Sequence, residues 1–110
     1  MSLEQFDTQC KSHFFQLVDT YGPNFVGKYN ISEDEIRQAL NRQRSTQEMW
    51  EFTKTFFELK GYCVSRTSFG FQLELIARTM ASSPDDQFKL AKAIESFRSR
   101  AVLQGDVDNM

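Results

Sequence analysis

The sequence predicts a mainly α-helical protein, a compact bundle of about five helices. Apolar residues recur every three or four positions along most of the chain, which is the periodicity of helices with one buried face. Glycine occurs 5 times and proline 2 times in 110 residues, too few for a loop-rich all-β fold. We therefore expect residues 1–103 to form a single helical domain and residues 104–110 to form a flexible C-terminal tail.

The first two helices are predicted from apolar stripes and capping signals. The first runs from Ser2 to Tyr21, where a Gly-Pro pair ends it, and 24–30 follows as a short connector. The second begins at Ser32, which forms a capping box with Glu35, and ends near Asn41. The buried stripe of the first helix consists of Leu3, Phe6, Cys10, Phe14, Leu17 and Tyr21.

The central helix is predicted from Ser45 to Lys60, with a capping box between Ser45 and Glu48 and a stop at Gly61. Two interpretations of its wide apolar face remain open. The helix is either central and packed on two sides, or it presents its second apolar strip to a partner. The predicted buried stripe is Met49, Phe52, Phe56 and Leu59, and the second strip is Trp50 and Phe57.

The segment 69–81 fits either a helix or a strand. As a helix it places Phe69, Leu73 and Ile76 on one stripe, and its length of about thirteen residues favours this interpretation. As a strand it alternates apolar with small or polar residues. It would then pair only with 62–66, which gives a small β-hairpin at 62–75.

The last helix is predicted from Pro84 to about Leu103, with Ser83 as its cap. Leu90, Ile94 and Phe97 mark its buried stripe. A different face carries a basic strip, which is either a solvated surface or a set of phosphate contacts. The basic strip contains Lys89, Lys92 and Arg100.

Composition and motifs exclude several function classes. The net charge of −2 and the pI near 5.4 argue against the positive electrostatic potential over the whole surface that is typical of nucleic-acid-binding proteins. The chain has one histidine and two cysteines without metal-ligand spacing, so we expect no metal, no cofactor and no enzymatic activity. No apolar run reaches the ~20 residues of a membrane span, and we expect a reduced, cytoplasmic setting.

Residues 50–80 resemble a helix-turn-helix, with a helix, a glycine, a polar connection and a second helix. The resemblance implies that Arg66, Thr67, Ser68 and Gln72 face DNA, with Lys89, Lys92 and Arg100 on phosphates. Under the strand interpretation, the region looks like a winged helix with 66–68 at the wing tip. The leading prediction is therefore a small non-enzymatic regulator or accessory protein that binds double-stranded DNA as a homodimer.

The alternative prediction is a protein-protein interaction module, such as an adaptor, a regulatory subunit or an inhibitor. It rests on apolar residues that lie off the main stripes and could together form a partner or dimer interface. Salt dependence separates the two predictions, because binding to phosphates weakens steeply with salt. The predicted interface residues are Trp50, Phe57, Phe71 and Leu75.

Overall fold

The computed structural model describes residues 1–80 and 83–103, and the predicted tail at 104–110 lies outside this range. Within it, four main helices and one single-turn helix accompany three strands. The helices are α1 (Leu3–Tyr21), α2 (Glu33–Ala39), α3 (Gln47–Leu59), the single turn α4 (Ala77–Met80) and α5 (Pro84–Leu103). The strands are β1 (Val26–Ser32), β2 (Cys63–Arg66) and β3 (Gly70–Ile76).

The predicted five-helix bundle is wrong, because the strands form a three-stranded antiparallel sheet in the order β1-β3-β2. β1 pairs with β3 from Val26↔Ile76 to Ser32↔Gly70. β2 pairs with the other edge of β3. The segment 24–30, predicted as a connector, therefore lies mostly within the sheet.

The helix-turn-helix predicted at 50–80 is also wrong, because its second helix is replaced by β3. Phe71, Leu73 and Leu75 are buried, and the residues between them are half-buried, so the period is two rather than 3.6. The hairpin at 62–75 matches β2 and β3 in position. The expectation that it has two strands is wrong, because β1 adds a third.

Two glycines allow the sheet to pack this closely. A Cβ atom on Gly70 would lie 2.0 Å from the carbonyl oxygen of Ile31 on β1. A Cβ atom on Gly27 would lie 2.8 Å from a ring carbon of Phe14 on α1. Gly70 therefore allows β1 to approach β3, and Gly27 allows α1 to approach the sheet.

The core lies between the inner face of the sheet and the helices. Phe14 and Val18 of α1, Ile36 of α2 and Met49 of α3 are buried together with the inward residues of β3. The outer face of the sheet carries polar residues, as shown by the register that aligns Asn30, Gln72 and Ser65, and Lys28, Glu74 and Cys63.

α5 packs beside α1 and runs parallel to it. Lys11 near the middle of α1 contacts Asp86 in the first turn of α5, with a distance of 2.9 Å between nitrogen and oxygen. Further along both helices, Asp19 contacts Arg100 at 2.5 Å. The ring of Phe97 lies against Gly22, which ends α1 with a φ of 100°. No helix of the described residues is long and apolar enough to cross a membrane.

Candidate partner-binding surface

α3 buries a different face from the one predicted. Its fully buried residues are Met49, Thr53 and Phe57, and the Thr53 hydroxyl donates a hydrogen bond of 2.9 Å to the carbonyl of Met49. This bond satisfies the hydroxyl inside the core, which allows a polar residue to occupy an inward position. Phe52 and Leu59, predicted as core, are instead 55% and 74% exposed.

The side chains predicted as a partner interface lie in or against the monomer core. Phe57, Phe71 and Leu75 are buried. Trp50 is half-buried and meets the ring of Phe71 edge-on at 5.2 Å. The guanidinium of Arg66 covers it, 3.3 Å from the ring centroid. Trp50 and Phe71 therefore contact each other as packing between α3 and the sheet, while Phe57 packs against Phe6 of α1 and Tyr62.

Instead, a short apolar ridge runs along α3 beside its buried face. We call Phe52, Phe56 and Leu59 the α3 ridge. Spacings of four and three place the three residues on one side of the helix, over about 10 Å of its axis. Phe56 is half-buried, and its ring meets the buried Phe57 edge-on at 5.1 Å. The ridge is therefore anchored to the core at its centre and exposed at both ends.

A small cavity of about 140 Å³ opens beside the N-terminal end of the α3 ridge. Its wall is partly apolar, since Met49 contributes from the core and Phe52 from the ridge. The size suits one side chain rather than a drug-sized ligand, which needs about 300 Å³ or more. The lining residues are Leu40, Arg42, Glu48, Met49 and Phe52.

One flank of the α3 ridge carries charges of both signs. Glu51 and Glu58 lie seven residues apart and share one side of α3 with the exposed Lys54, which is three residues after the first and four before the second. Glu48 lies one turn before Phe52. The three glutamates are exposed, and within residues 1–80 and 83–103 none of them forms an ion pair. The opposite flank carries Lys60, whose ammonium lies 5.5 Å from the ring centroid of Phe56.

The predicted DNA-facing residues around the β2–β3 turn have different environments. Thr67 shapes the turn, because its hydroxyl accepts hydrogen bonds from the amides of Phe69 and Gly70 at 3.3 and 3.0 Å. Ser68 is exposed in this turn. Gln72 lies on the outer face of the sheet, while Arg66 is stacked on Trp50 as described above.

The predicted basic strip lies on α5, and its members already have partners. Lys89 pairs with Asp85 at 3.1 Å, and Arg100 pairs with Asp19. Lys92 lies 5.2 Å from the ring centroid of Phe88. The strip therefore belongs to a different element from the hairpin residues, and acidic side chains partly neutralise it.

Sequence reasoning missed a buried polar network that joins α1, α5 and Tyr62, the residue before β2. The Tyr62 hydroxyl donates to the Asp7 carboxylate at 2.7 Å, and Lys11 lies 3.4 Å from Asp7. Burial, followed by the charge of Asp7, raises the pKa of the nearby Cys10 thiol to about 12. Burial and the hydrogen bond to Asp7 also raise the pKa of Tyr62. The signal in the sequence was an Asp-Lys pair four residues apart beside an apolar stripe, which also fits a solvated pair.

Among the described residues, no three His, Cys, Asp or Glu side chains are grouped as a metal site. Comparison with protein-family models, with curated proteins and with solved structures found no match to this chain.

Proposed function

We propose that this protein is a non-enzymatic protein-interaction module that binds its partner through the α3 ridge. The observation that carries this proposal is the exposure of Phe52 and Leu59, at 55% and 74%, on a helix whose adjacent face is buried in the core. Large apolar side chains grouped on a surface mark interaction sites, and aromatic residues are enriched at the centres of interfaces. The proposal includes the reduced, cytoplasmic setting predicted from the two cysteines, both of which are free.

The rigidity of α3 supports the proposal. Met49, Thr53 and Phe57 are each 2% exposed or less, so the backbone that presents the ridge is fixed before any partner arrives. A preorganised surface loses less conformational entropy on binding. The adjoining cavity offers a place for one anchoring side chain of the partner, the arrangement typical of binding hot spots.

Affinity capture from an extract of the source cells tests the proposal. The full-length chain is immobilised beside the double variant Phe52→Ser/Leu59→Ser and the control Phe69→Ser. Phe69 is 80% exposed on the β2–β3 turn and provides the same chemistry away from the ridge. We expect specific partners to bind the wild type and the control and to be lost from the double variant. Equal retention by the double variant would overturn the proposal. All three proteins should unfold at similar temperatures, because the substituted side chains are exposed.

The second candidate is the DNA-binding regulator predicted from the sequence. One observation favours it. The order helix-strand-helix-helix-strand-strand, with the last strand between the other two, resembles that of winged-helix DNA-binding domains. In such an arrangement α3 and the β2–β3 turn would approach the duplex. We rank it second because the exposed Glu48, Glu51 and Glu58 on α3 would face the phosphates.

Fluorescence anisotropy with a mixed duplex pool distinguishes the two functions. DNA binding predicts a complex at low salt that dissociates steeply as salt increases. It also predicts that Glu51→Gln/Glu58→Gln strengthens binding by removing like charge. An absence of binding at low salt would remove this candidate and would leave the ridge proposal unchanged.

A further inference from the structure

We draw no further inference here: the strongest candidate, the open groove of about 710 Å³ between α1 and α5, is lined by both aspartate and lysine side chains, so its charge selects no class of ligand, and nothing in the structure shows what covers it.

Discussion

The Tyr62 hydroxyl donates a buried hydrogen bond of 2.7 Å to the Asp7 carboxylate, which connects the residue before β2 to α1. A buried carboxylate requires such partners, because an unsatisfied charged group costs several kcal/mol. Lys11 provides the second partner. Burial of the Cys10 thiol, and then the Asp7 charge beside it, raise the pKa of the thiol and explain why it favours the protonated form.

We predict that the Cys10 thiol makes the protein less stable at alkaline pH. Its pKa is raised from 9.0 to about 12 in the folded state. Between these values the unfolded chain has lost the proton that the folded chain retains, so the free energy of unfolding falls as pH rises. Cys10→Ala should make this fall shallower by up to about 1.4 kcal/mol per pH unit.

Urea unfolding at several pH values across this window measures the slope. Cys63→Ala is the matched control, because Cys63 is exposed, and it should keep the slope of the wild type. The same slope in Cys10→Ala and the wild type would contradict the prediction.

At the scale of elements, helix ends were largely predictable because capping is local. The capping box of Ser32 and Glu35 is confirmed, with both of its hydrogen bonds present. The Ser83 hydroxyl caps α5 by accepting from the amide of Asp86. The cap of α3 is Thr46 rather than Ser45, and its hydroxyl accepts from the amide of Met49 at 3.1 Å.

The strands were predicted less well because their evidence is not local. The sequence indicates a connector at 24–30 and a helix start at Ser32, whereas the structure forms β1 over Val26–Ser32. The sequence of β3 fits both the helical period of 3.6 residues and the strand period of two, and the length of the whole segment 69–81 favours a helix. Pairing with the distant β1, in addition to the adjacent β2, stabilises β3 as a strand, and a window of the sequence does not contain the contribution of β1.

We predict that Gly70→Ala disrupts the pairing of β1 and β3. The new Cβ atom would lie 2.0 Å from the carbonyl oxygen of Ile31, a backbone atom that cannot move without shifting the strand. We expect destabilisation by more than about 3 kcal/mol, or failure to fold. Thermal unfolding followed by circular dichroism measures the effect.

Ser68→Ala is the control for this prediction, because Ser68 is exposed in the same turn. It should change stability by no more than about 0.5 kcal/mol. A Gly70→Ala protein as stable as this control would show that the two strands do not approach as closely as the structure indicates.

At the scale of the whole molecule, α5 is joined to α1 by paired charges at two points and by apolar packing between them. Lys11 lies between Asp7 and Asp86, while Leu90 and Ala93 are buried. The second ion pair, Asp19 with Arg100, is more exposed. Because removal of one partner of a buried pair leaves an uncompensated charge, Lys11 should dominate this attachment.

We predict that Lys11→Met weakens the docking of α5 on α1. The substitution leaves the buried carboxylate of Asp7 and the half-buried carboxylate of Asp86 without their ammonium partner, and it should destabilise the protein by about 3–5 kcal/mol. Urea unfolding measures the total effect. Amide hydrogen exchange should show loss of protection in α5 before the other helices.

The control is Lys89→Met, which removes the same charge from an exposed pair with Asp85 and should cost less than about 1 kcal/mol. Equal stability of the two variants would contradict the prediction. The homodimer predicted from the sequence stays a prediction, and the residues assigned to it lie within or against the monomer core.

The sequence by itself determined the features that depend on neighbouring residues. α1, most of α2, α3 and α5 follow from capping and periodicity, because their hydrogen bonds close within one turn. The tertiary structure decided which face of each element is buried. The choice between Phe52 and Phe57 as a core residue of α3 depends on where β3 and α1 lie, and those contacts join segments far apart in the chain. The exposed ridge, and with it the proposed function, therefore emerged only from the packed fold.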